Sequence, residues 1–221
     1  MSSLPVARVG RHKQRYQDHL RLVSGCIPYR FEKNDEELKC HVENRVRVLM
    51  ISTPNRDDLV FPKGGWETDE TVREAACREA LEEAGVRGIL SESPLGMWEF
   101  RSKSRENSSS LKGGCRGYMF ALKVTEELDS WPEQSTYCRK WLTAEDAFKF
   151  CRYDWMRESL ANFLTCLDEE MIIGATREIL ELPNIPPDTG ADHQILPQSY
   201  FEKPSAVQHL ETSSTKCIVQ G

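Results

Sequence analysis

The sequence predicts a single α/β (α+β) domain in which a mixed sheet lies between helices. Three observations lead there. β-rich apolar runs stand on both sides of one well-capped helix. Two more helical patterns follow at 144–152 and 154–168. The chain, at 221 residues and 39% hydrophobic, can bury one sizeable core. No apolar run approaches the length of a membrane span, so a soluble protein is expected.

The elements follow in order. Residues 1–17 form a basic N-terminal arm, which leads straight into a first strand. VRVLMIS (46–52) and LVFPKGG (59–65) are β-rich. Thr71 followed by Glu74 is a capping box, Val72 opens an alanine-rich run, and Gly85 is a left-handed stop, so one helix is expected over Thr71–Ala84. CRGYMFALKV (115–124) and RKWLT (139–143) are further strands. The last helix carries Trp155, Met156, Leu160, Phe163 and Leu164, which read as core. The domain is drawn at 18–168. The proline-rich, polar remainder at 169–221 is expected to be disordered.

Chemistry concentrates on the helix at 71–84. Glu79, Glu82 and Glu83 stand at i, i+3 and i+4, so three carboxylates crowd one face at an electrostatic cost that no structural role explains. A hard divalent cation would relieve it, and oxygen ligands point to Mg2+ or Mn2+. Alanines 75, 76, 80 and 84 leave room for close packing on a sheet, with the acidic side facing a cleft.

Gly64, Glu70, Arg78, Glu79, Glu82, Glu83 and Gly85 fall on the spacing Gx5Ex7REUxEExGU. At about 7% per residue type, chance would match these positions in roughly one window in a hundred million. The chain thereby resembles a Nudix hydrolase, and the resemblance implies the α/β/α sandwich of that fold. It also implies that Glu79 and Glu83 hold the metal, with the Gly64 carbonyl as a further ligand. Arg78 would orient the glutamates by charge-assisted hydrogen bonds, and Glu70 would brace the loop with Gly85 as structural stop. Glu82, beside a metal ligand, is the expected general base for the attacking water.

Charge distribution bears on the substrate. The chain totals −6, yet residues 1–30 carry Arg8, Arg11, Lys13, Arg15, Arg21 and Arg30 against Asp18 alone. Residues 101–116 carry Arg101, Lys103, Arg105, Lys112 and Arg116 against Glu106. An acidic metal site flanked by basic segments suits a small molecule with many phosphates. The runs LVSGCIPYR, VLMISTPNRDDLVFPKGGWE, LGMWEFRSKS and RKWL are similar to plant Nudix hydrolases of the diphosphoinositol polyphosphate phosphohydrolase type. That similarity implies cleavage of inositol pyrophosphates or diadenosine polyphosphates, with Arg21, Arg56, Lys63, Arg101, Lys103 and Arg139 on the substrate. Lys63 departs from the animal enzymes, which carry a third glycine there.

Alternatives stay open. ADP-ribose, NADH or capped RNA would call for stacking surfaces such as Trp66 or Trp98, although Trp98 reads more readily as core. A non-catalytic polyphosphate-binding module would have lost a glutamate or arginine from the motif, and none is lost. Nucleic-acid binding lacks a motif, and a monomer is expected. Eight scattered cysteines without a CxxC pair point to reduced thiols inside a cell. Cytoplasm or nucleus is expected, with mitochondrial import open because the N-terminus is arginine-rich and acid-poor.

Overall fold

The computed structural model describes residues 7, 8, 10, 12–32, 42–101 and 113–180. They belong to a compact unit of residues Met1–Glu181. In chain order its elements are β1 (Tyr16–Gln17), β2 (Leu20–Phe31), α1 (Val42–Arg45), β3 (Val46–Ser52), β4 (Leu59–Val60), β5 (Lys63–Gly65) and α2 (Val72–Ala84). There follow β6 (Val86–Leu90), β7 (Gly96–Phe100), β8 (Cys115–Glu127), β9 (Arg139–Thr143), α3 (Ala144–Phe150) and α4 (Asp154–Leu180).

The sheet is mixed, as the sequence predicts. Its main path runs β4-β3-β2-β8-β6, with β1 and β5 on β2, β7 on β8 and β9 on β3. β2 and β8 pair in parallel from Arg21↔Cys115 to Tyr29↔Lys123, and the other pairings are antiparallel. On its other edge β2 meets β5 at Val23–Gly25 and β3 at Tyr29–Phe31. Pro28 falls between these two ladders. Cys26 N–H points to Pro62 O on that edge, so strand alternation aims the Pro28 nitrogen into the gap, where no ladder bond is lost.

The same alternation separates the two faces. Ser24 Oγ donates to Val72 O of α2 at 2.6 Å, whereas the Tyr29 ring packs 4.9 Å from that of Phe163 in α4. Helices therefore cover both faces of the sheet, and the sandwich expected from the sequence is present. The core holds Ile27, Leu49, Met50, Phe61 and Phe120 from the strands and loops, with Met156, Leu160 and Phe163 from α4.

Several boundaries differ from expectation. The run 59–65 splits into β4 and β5, because Pro62 has no N–H for a ladder and its carbonyl accepts from Cys26. β6 and β7 had no clear sequence signal. β6 shifts register between Arg87 and Gly88, and a Cβ at Gly88 would lie 2.0 Å from Lys123 O, so no simple alternation survives there. α4 continues past residue 168 to Leu180. The tail from 181 onward lies outside the described residues.

Candidate active site

The site is built on α2. Thr71 Oγ1 accepts from Glu74 N at 3.2 Å and Glu74 Oε2 accepts from Thr71 N at 2.7 Å, closing the capping box. Gly85, at φ 63°, ends the helix in the left-handed conformation. Ala75, Ala76, Ala80 and Ala84 are fully buried and bring the helix close onto the sheet. That close approach buries the acidic face as well: Glu79, Glu82 and Glu83 are only 7%, 6% and 8% exposed.

Arg78 ties the carboxylates together. Its Nε and Nη2 donate to the two oxygens of Glu70 at 3.0 and 2.9 Å, a bidentate pair. Nη1 donates to Glu79 Oε1 at 2.7 Å and Glu82 Oε2 at 3.1 Å, and Nη2 also reaches Gly65 O at 2.8 Å. Glu70 Oε1 accepts from Glu67 N at 3.0 Å and so braces the loop. Glu83 Oε2 accepts from Lys63 N at 2.8 Å. Gly64 is required for space, since a Cβ there would lie 2.1 Å from Glu79 Oε1.

Burial pushes the Glu79 carboxyl well above its ordinary range, and the neighbouring Glu83 charge adds to the effect despite Arg78. Burial likewise raises Glu83, against the pull of Lys63. Two residues not foreseen in the sequence complete the surroundings. Glu133 is raised by burial and then by Glu82, and Tyr137 by burial and then by Glu83 and Glu133. Both lie in an irregular turn between β8 and β9, where no periodic pattern marks them.

Buried oxygen donors that repel one another suit a hard divalent ion. Among the described residues no three or more His, Cys, Asp or Glu side chains are gathered into a finished cage. The carboxylates rest instead on Arg78 and the Lys63 amide.

The basic residues of the arm and flanking segments divide into two groups. Arg8, Lys13 and Arg15 turn onto the 67–70 loop. Arg8 Nη1 bonds Glu67 Oε2 at 2.7 Å and Asp69 Oδ1 at 3.1 Å, and its backbone N–H reaches Glu82 Oε1 at 3.3 Å. Lys13 Nζ bonds Asp69 at 2.8 Å, and Arg15 donates to the carbonyls of Glu67, Thr68 and Glu70. The second group lines a groove of about 840 Å³ with Arg101, Arg116, Arg152 and Arg157 beside Phe100 and Tyr153. Arg152 and Arg157 escaped the sequence reading because only the fold brings them beside Arg101 and Arg116.

The remaining expected substrate residues have other partners here. Arg21 Nε donates to Gln14 Oε1 at 2.7 Å, and Arg56 forms a bidentate pair with Asp58 at 2.8 and 2.7 Å. Arg139 Nη1 donates to Ala84 O and Gly85 O at 3.3 and 3.2 Å. Lys103 lies outside the described residues. Trp66 is half-buried, with Arg15 4.8 Å over its ring, Tyr118 edge-on at 6.0 Å and its Nε1 on Glu70 O. Trp98 packs against the core, as expected.

The NUDIX domain model matches residues 40–163. The chain is 60% identical over 182 residues to "Nudix hydrolase 13, mitochondrial" of Arabidopsis thaliana, covering 80% of this chain and 88% of that protein. It is 35% identical over 129 residues to "Diphosphoinositol polyphosphate phosphohydrolase 3-alpha" of Mus musculus, covering 57% and 66%. The structure of a C. elegans Ap4A hydrolase binary complex is similar at a TM-score of 0.49 and 20% identity, covering 67% of this chain and 98% of that one. The chain belongs to the Nudix hydrolases, enzymes that act on pyrophosphate bonds of small phosphorylated substrates and generally use divalent ions such as Mg2+ or Mn2+.

Proposed function

We propose that this enzyme hydrolyses phosphoanhydride bonds in diphosphoinositol polyphosphates, diadenosine polyphosphates, or both. The observation that carries the reading is the set of three buried glutamates on α2, gathered by Arg78 and set against Gly64. Glu79, Glu83 and the Gly64 carbonyl would hold Mg2+ or Mn2+. The ion supplies Lewis-acid charge neutralisation at the phosphate oxygens. Glu82 takes the proton of the attacking water as that water bonds to phosphorus, and the phosphoanhydride oxygen leaves with the other phosphate. Arg78 keeps Glu79 and Glu82 on their aim, and Glu70 holds Arg78 in turn.

The arginines of the groove support a polyphosphate substrate, but they stand among Asp18, Glu99 and Asp154, and the groove shares no lining residue with α2 or Gly64. Arg116 is held by Glu99 at 2.8 Å and Asp18 at 3.4 Å, partners that incoming phosphates would replace. Arg101 and Arg116 are the proposed phosphate contacts, with Arg21 and Lys63 nearer the box. Relatives named as mitochondrial favour mitochondrial import over the cytoplasm or nucleus.

The test is phosphate release, with magnesium, from diphosphoinositol pentakisphosphate isomers beside diadenosine hexaphosphate and ADP-ribose. Turnover of the first two classes above ADP-ribose is the expected result. Preference for ADP-ribose would overturn the substrate reading.

A further inference from the structure

The last turn of α2 carries Glu82 and Glu83, and its carbonyls have no partners within the helix. Their actual partners show what holds that turn. Gly85 N–H takes Ala80 O and Leu81 O, and Glu133 N–H takes Glu82 O at 3.0 Å. Arg139 Nη1 takes Ala84 O and Gly85 O, and Leu128 N–H also takes Gly85 O at 2.8 Å. Apart from the Gly85 cap, every one of these donors comes from the segment joining β8 to β9 or its edges.

Side-chain packing reinforces the backbone pairing. The Arg139 guanidinium lies 4.4 Å over the Trp131 ring, and Trp131 presses on Gly85, where a Cβ would be 2.6 Å from its Cδ2. Gly85 thus serves both as the left-handed stop and as the seat for Trp131. The arginine carries a positive charge at the negative end of the helix dipole, and its Nη1 is shared between two carbonyls. One face and one nitrogen of the guanidinium are therefore committed to α2 and Trp131.

We propose that Arg139 is a positioning residue: stacked on Trp131 and bonded to Ala84 O and Gly85 O, it fixes the turn of α2 from which Glu82 and Glu83 act. It touches neither substrate nor metal. This inference rests on the assignment of Glu82 and Glu83 to the reaction.

The test compares full-length wild type, Arg139→Gln, Arg139→Lys and Glu83→Gln. Mn2+ binding is read by the electron paramagnetic resonance of free Mn2+ without substrate. Steady-state kcat and KM are measured with diadenosine hexaphosphate, and thermal midpoints are recorded. Arg139→Gln is expected to lower kcat and weaken Mn2+ binding each by about 10–100-fold, the range seen when a residue supporting metal ligands is lost. KM should stay within about twofold, with partial recovery in Arg139→Lys. A raised KM at unchanged kcat and Mn2+ affinity would make Arg139 a substrate contact and overturn the proposal. A lower midpoint with unchanged kcat and Mn2+ binding would overturn it equally. Failure of the wild type to turn over the probe would count against the proposed substrate, and the Mn2+ measurement would still decide the role of Arg139. If Glu83→Gln binds Mn2+ normally, the metal assignment fails, and the kcat and KM values decide instead.

Discussion

Gly64 and Glu79 are separated by fifteen positions in the chain but share one volume. Because a Cβ at 64 would lie 2.1 Å from Glu79 Oε1, Gly64→Ala must displace that carboxylate from Arg78 and from the proposed metal position. Activity should fall at least about 100-fold, since displacements near 1 Å cost that much in a positioned site. The melting temperature, measured alongside, should change little. Glu79 and Glu83 also give the metal-free protein a pH signature. Both carboxyls are raised in the fold, so the folded state binds more protons than the unfolded one above the ordinary carboxylate value of 4.5. The stability of the metal-free enzyme should therefore fall as pH rises from about 5 to 8, and saturating Mn2+ should flatten that slope. Thermal melts in chelator across that range check it.

Among the elements, α2 was the most legible in the sequence, because its determinants are local. Thr71, Glu74 and Gly85 bracket it through contacts within a few residues, and the structure keeps those bounds. β3 and β9 also fall where the apolar runs placed them. β6 and β7 were not legible, because Gly88 is shaped by Lys123 across the sheet rather than by its own neighbours. The buried alanines of α2 make a further prediction. Ala80 is fully buried between helix and sheet, so Ala80→Leu should destabilise by about 1–3 kcal/mol through overpacking, read by urea denaturation.

For the molecule as a whole, the acidic centre could be read from the motif, but the use of the surrounding cations could not. Arg8 reaches Glu67 across 59 positions, and Arg152 reaches Asp58 across 94; such pairings depend on the fold and leave no periodic trace. The N-terminal basic residues neutralise the loop of the motif, while Arg101 just after β7 and Arg116 of β8 line the groove. The hydrolytic role of the α2 carboxylates is the central claim, and magnesium-dependent phosphate release by wild type and Glu82→Gln tests it most directly. Loss of the general base predicts a fall of about 10²- to 10⁴-fold in the variant, with its melting temperature retained. Turnover by Glu82→Gln within a few-fold of wild type would contradict it.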